Sequence, residues 1–221
     1  MKTIPFSLAS ALALALAMGA ASPLHAADQA AAVAAPAAAT AAPAAPKLHA
    51  AMRGLWQGHV QHTREYAMAV KAGNGAAAKT AGDDVVANAK QIANAVGGFY
   101  GADAGAAMLN LLAGHWGGVK ALTDADHAGD KPAADKAMQD LSANASAIAS
   151  FLSGANPNLP NDAVRGLLMA HVAHHQAQLD EIMKGDMQAE ATTWTAMQAH
   201  MNTLADALSD GIAKQFPAKA T

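Results

Sequence analysis

The chain has 221 residues, a formal net charge of −3, only 4 % aromatic residues, 52 % hydrophobic residues and no cysteine. The missing cysteines exclude disulfides, a lipid-anchored lipobox, thioether-linked haem and thiolate metal sites, so the core must support the fold alone. The near-neutral charge, without any Lys/Arg cluster, disfavours nucleic-acid and anionic-membrane partners.

Residues 1–26 have the layout of a secretory signal peptide. Lys2 supplies the positive start, Leu8 to Met18 the apolar run, and Ser22-Pro23-Leu24-His25-Ala26 the cleavage region, with a cut after Ala26 or Ala27. The run is too short for a good membrane span, so no stable membrane insertion is expected after cleavage. A periplasmic or secreted destination follows. Residues 27–46 are almost entirely Ala and Pro and read as a linker. Residues 47–217 fit one domain, followed by a tail at 218–221.

Within the domain, positions 56 residues apart agree without gaps. Leu55, Leu111 and Leu167 align, as do His59, His115 and His171, and so do Ile92, Ile148 and Leu204. Gly73-Asn74, Gly129-Asp130 and Gly185-Asp186 form a further column, and Asn88, Asn144 and His200 another. Such self-similarity marks a threefold internal repeat. Gly followed by Asn or Asp is a helix stop followed by an N-cap, so each unit reads as a helical hairpin. The expected helices cover about 48–72, 75–97, 102–128, 131–153, 161–184 and 187–214. Gly97-Gly98-Phe99-Tyr100-Gly101 and the segment from Gly154 to Pro160 are expected to break the chain between hairpins. Strand signals are absent. The expected fold is all-α: a six-helix antiparallel bundle of three 56-residue hairpins. Both terminal units keep the apolar columns, which favours closure about a pseudo-threefold axis over an open solenoid.

Antiparallel helices rise equally per residue, so His59 pairs in height with Asn88, His115 with Asn144 and His171 with His200, roughly 20 Å from each hairpin turn. Each of the three repeated histidines follows apolar residues three and four positions earlier, which places it on the buried stripe. Six buried polar groups at one height must pair with each other, hold water or bind something, because each left alone costs roughly 1–3 kcal/mol.

Two readings of this layer stay open. One is a metal centre with His59, His115, His171 and His200 as ligands for Zn or Cu, and Asn88 and Asn144 orienting the rings from behind. The other is a hydrogen-bonded layer that sets register in a structural or partner-binding bundle. A metalloenzyme with His200 as acid/base is a third. His62, His174 and His175 are further candidate ligands, since His171 and His175 have the i,i+4 spacing that can chelate one ion. His49 and His127 lie near helix ends and are expected to have no specific role. The methionines are scattered and read as core filler, although Met197 and Met201 flank His200 and leave Cu(I) open. The few aromatic residues argue against a haem pocket.

Leu55-Trp56, His59, Thr63-Arg64, Phe99-Tyr100-Gly101, Ala149-Ser150-Phe151-Leu152, Asn156-Pro157 and Gly211 to Pro217 together resemble an uncharacterised family of exported all-helical bacterial proteins. The resemblance covers most of the domain. It implies the helical fold and the export, and no activity.

Overall fold

A computed structural model describes residues 45–220. The expected signal peptide and most of the linker lie outside these residues. The described chain is all helical: α1 (Pro46–Lys71), α2 (Gly75–Tyr100), α3 (Ala102–Ala128), α4 (Lys131–Ala155), α5 (Asn161–Lys184) and α6 (Met187–Gln215). None of them is long and apolar enough to cross a membrane.

The turns within the three hairpins use one device. Gly73, Gly129 and Gly185 take left-handed φ values of 67°, 70° and 78°, where a side chain would be strained. The next residue in each case caps the following helix: Asn74, Asp130 and Asp186 accept hydrogen bonds from the amides of Ala77, Ala133 and Ala189. An orphan amide in the first turn is thereby satisfied. In α1 the fixed φ of Pro46 suits a first helical turn, so the helix starts inside the expected linker.

The largest departure from the expected boundaries is at the end of α2, while α4 also runs through Gly154 to Ala155. Helix α2 runs through Gly97 and Gly98 to Tyr100, and only Gly101, at φ 97°, breaks the chain. Gly97 serves packing instead, against Gly105 of α3. A Cβ on Gly105 of α3 would lie 3.0 Å from the Ala93 carbonyl oxygen and 3.1 Å from the Gly97 Cα. The two backbones approach so closely that α3 has no room for a side chain at Gly105, whereas a Cβ on Gly97 would make ordinary contacts, the nearest at 3.5 Å.

Each helix packs on the next, α6 returns to α1, and α1, α3 and α5 touch one another in the centre. The odd-numbered helices therefore line the interior, and α2, α4 and α6 buttress them from outside. Ile92, Met108, Leu122, Leu141, Leu179, Met197, Met201 and Leu204 are fully buried side chains of the core.

Several polar links join α1 to α6 at this closing seam, among them those of His49 and Arg64. His49 places Nδ1 2.9 Å from Asp206 and Nε2 3.0 Å from Asp210. It thus has a specific tethering role, contrary to the expectation from its place near a helix end. Arg64 donates two hydrogen bonds, of 2.6 and 2.8 Å, to the carboxylate of Glu190. That carboxylate is buried and also accepts a bond from Gln178. His127, in the last turn of α3, is exposed.

Candidate metal centre

The apolar stripe of α1, α3 and α5 turns inward because each helix repeats large apolar residues at three- and four-residue steps. His59, His115 and His171 share that stripe, so the three rings meet where these helices touch. Their centroids are 5.7, 5.7 and 5.4 Å apart. A fourth ring joins them. His175, one helical turn beyond His171, has its centroid 6.2 Å from His59, 5.9 Å from His115 and 4.3 Å from His171. One nitrogen from each ring lies within 4.8 Å of the others. All four residues are at most 4 % exposed.

The hydrogen bonding of this cluster is incomplete. His171 Nε2 and His175 Nε2 face each other at 3.1 Å. The other six ring nitrogens, both of His59, both of His115, and Nδ1 of His171 and His175, have no partner. The outer side is incomplete as well, because Asn88 Oδ1 and Asn144 Oδ1 are buried without a donor. An orphaned amide oxygen and an orphaned ring N–H are complementary, and each of the first two hairpins holds both kinds.

Burial keeps the imidazoles neutral. It pushes His59 down to about 3, with repulsion from His115 and His62 adding to the effect. It pushes His115 to about 4, partly offset by the Asn144 amide. His171 and His175 are both held well below the ordinary histidine range by burial first and by neighbouring rings second. Neutral imidazole is the form that ligates a metal.

The surroundings are buried and largely apolar. Trp56, Leu112 and Leu168, each three residues before a histidine, are buried on one side of the cluster, and Trp56 meets His59 edge-on at 5.9 Å. Val119 is buried one turn beyond His115, and Thr63 beyond His59 gives its hydroxyl to the His59 carbonyl.

The expected six-residue layer splits into two shells. Asn88 donates to the Leu55 carbonyl and Asn144 to the Leu111 carbonyl, each at 3.0 Å. His200 Nε2 meets the Leu167 carbonyl at 2.9 Å in the same way. This outer column therefore clasps the partner helix one turn from the histidine, and His200 stands outside the inner cluster. Helix spacing explains the place of His175, which is on the same face as His171. His62 lies at the surface beside Glu65, at 3.1 Å, and His174 lies against His200.

Space was made for the clasp. A Cβ on Gly58 would lie 3.0 Å from Asn88 Nδ2, and one on Gly114 would lie 3.0 Å from Asn144 Nδ2. The corresponding residue of the third hairpin is Ala170, where the clasping residue is a histidine. Arg64, Gln178 and Glu190 were not singled out by sequence reasoning. Glu190 and Gln178 carry a usable signal: an acid where the other two hairpins have Ala78 and Ala134, and an amide where they have Tyr66 and Leu122.

Four neutral imidazoles converging in a buried, largely apolar interior can hold a transition-metal ion. A tetrahedral centre with Zn–N near 2.0–2.1 Å would put the ring centroids about 5.2 Å apart, and the observed separations of 4.3 to 6.2 Å bracket that value. Comparison with family models, curated proteins and solved structures finds no match.

Proposed function

We propose that this chain is an exported metal-binding protein whose four buried histidines, His59, His115, His171 and His175, hold one transition-metal ion, Zn or Cu. One observation carries the reading: six of eight imidazole nitrogens in one buried cluster have no partner. Left so, each would cost about 1–3 kcal/mol. An ion held by Nε2 of His171 and His175 and by one nitrogen each of His59 and His115 satisfies two of the orphans and relieves the Nε2–Nε2 contact, and the orphaned Asn88 and Asn144 oxygens supply acceptors for the outer N–H groups of His59 and His115. The same unpartnered nitrogens weaken the purely structural reading. A layer evolved only to set register would satisfy its inner nitrogens, and the clasps to Leu55, Leu111 and Leu167 already set register.

The all-imidazole donor set suits Zn and Cu. Four protein ligands sealed from solvent resemble sites that hold a metal rather than sites that open a position to substrate. With Nε2 committed to a backbone carbonyl outside the cluster, His200 is poorly disposed as an acid/base at such a centre.

The bundle is, in this reading, three copies of one hairpin about a pseudo-threefold axis. The 56-residue register of the turn glycines, caps, clasps and inner histidines supports that descent. The third copy acquired His175 and His200. Export rests on the signal-peptide layout of residues 1–26, and the resemblance to the exported helical family stands beside it. N-terminal sequencing of exported protein should find a start at Ala27 or Asp28.

The test is metal analysis of protein purified from the periplasm, followed by titration with Zn(II) and Cu(II). The central cluster is expected to take one equivalent per chain, and His115→Ala should lose that equivalent. Absence of binding at micromolar metal in the native chain would overturn the proposal.

A further inference from the structure

The third hairpin holds a second pair of imidazoles outside the buried centre. His174 of α5 and His200 of α6 have centroids 5.3 Å apart and planes inclined at 45°. Both residues are only half-buried. His200 gives Nε2 to the Leu167 carbonyl at 2.9 Å. Because a carbonyl only accepts, Nε2 carries the proton and Nδ1 keeps its lone pair. His174 makes no hydrogen bond among the described residues. Two imidazoles on one tetrahedral ion have centroids about 5.2 Å apart, and the ring separation of this pair matches that value.

No other hairpin has such a pair. The corresponding residues are His62 with Asn88 and Gly118 with Asn144. The pair also occupies a particular place. His174 is three residues from His171 and adjacent to His175, so it borders the buried centre along α5. The four central rings are themselves sealed, and an ion must pass some wall of the bundle to reach them.

We propose that His174 and His200 form a loading site: they capture a transition-metal ion from solvent through His200 Nδ1 and a ring nitrogen of His174, and pass it by ligand exchange to His171 and His175. The ion keeps its oxidation state, and water ligands are released as imidazoles replace them. The transfer half of this inference rests on the proposed central metal site; the capture half stands on the surface pair alone. Local capture raises the effective concentration of ion at the centre, so the pair should govern the rate of loading and leave central affinity unchanged.

The experiment titrates the full chain with Cu(II) by calorimetry and follows loading by stopped-flow quenching of tryptophan fluorescence, for which Trp56 beside His59 is a reporter. Three proteins are compared: the native chain, His115→Leu, and His174→Ala combined with His200→Asn. The last substitution restores the residue that clasps the other two hairpins. The native chain should bind two equivalents and each variant one, and the double variant should load its centre at least about tenfold more slowly. Full stoichiometry and an unchanged rate in the double variant overturn the inference. A native chain that binds one equivalent, indifferent to His115→Leu and lost in the double variant, overturns the central site and with it the transfer, while upholding capture. Circular dichroism confirms that each variant is folded; should His115→Leu unfold, His115→Gln takes its place.

Discussion

His171 Nε2 lies 3.1 Å from His175 Nε2, one helical turn along the same face of α5. About the same distance separates two nitrogens on one tetrahedral zinc ion, near 3.3 Å. In the proposed site, helix α5 would present half of a coordination shell, and His59 and His115 would bring the other half from α1 and α3. The ligand most diagnostic of this arrangement is His175. Its replacement by Ala should weaken Zn(II) binding at least about 100-fold, a loss no smaller than that of removing an outer hydrogen-bond partner. Competition against a chromophoric chelator measures it. An unaltered affinity would remove His175 from the site.

Acid sensitivity follows from the burial of neutral imidazoles. His59 titrates near 3 and His115 near 4 in the fold, against 6.5 for an ordinary histidine. The unfolded chain thus binds protons that the folded chain refuses. Metal-free stability should be fully present above pH 6.5 and be lost as pH falls from there towards 4 and 3. Each such histidine contributes up to about 1.4 kcal/mol per pH unit. Urea titrations at pH 7, 6 and 5 should show the decline steepening. Stability that is flat from pH 7 to 5 would contradict the neutral cluster.

Metal affinity should behave differently from that of a surface histidine site. Ligands that are already neutral need release no protons when metal binds. The Kd for Zn(II) is expected to stay within about twofold between pH 8 and 6 while the protein remains folded. An ordinary site would weaken through its titration near 6.5. Measuring Kd at pH 8, 7 and 6 decides it.

The seam between α1 and α6 depends on Arg64 and Glu190. Removing the guanidinium leaves a carboxylate that is 1 % exposed without its cation. Arg64→Ala should therefore cost about 3–5 kcal/mol, whereas replacing both residues by Leu should cost far less. Chemical denaturation of the three proteins gives both numbers. An Arg64→Ala cost below about 1 kcal/mol would show that water reaches the carboxylate.

Two glycine substitutions should have opposite signs. At Gly105 a new Cβ would meet the backbone of α2 at 3.0 and 3.1 Å, and backbone cannot step aside. Gly105→Ala is expected to cost about 1–3 kcal/mol. Gly54, inside α1, has nothing within 4 Å of its Cβ position. There Ala should stabilise by about 0.5–1 kcal/mol through helix propensity. Thermal melts of the two variants check the pair.

What the sequence by itself determined is local. Gly73-Asn74, Gly129-Asp130 and Gly185-Asp186 announced the hairpin turns because a left-handed stop and a side-chain cap involve only neighbouring residues. The apolar steps before His59, His115 and His171 announced their burial for the same reason, since helical periodicity alone sets which face they share. Equal rise per residue even put the Asn88, Asn144 and His200 column at the right level. The tertiary structure decided what sits beside what at that level. The clasping column reached for backbone carbonyls, which no side-chain pattern reveals, so His200 went outside the cluster. His175 went inside because α1, α3 and α5 meet closely enough for a second turn of α5 to reach the centre. Gly97 became a contact with Gly105 rather than a break, and His49 found Asp206 and Asp210 across more than 150 residues of sequence. Such partners are selected by helix packing around the closed ring, a long-range outcome that sequence spacing does not encode.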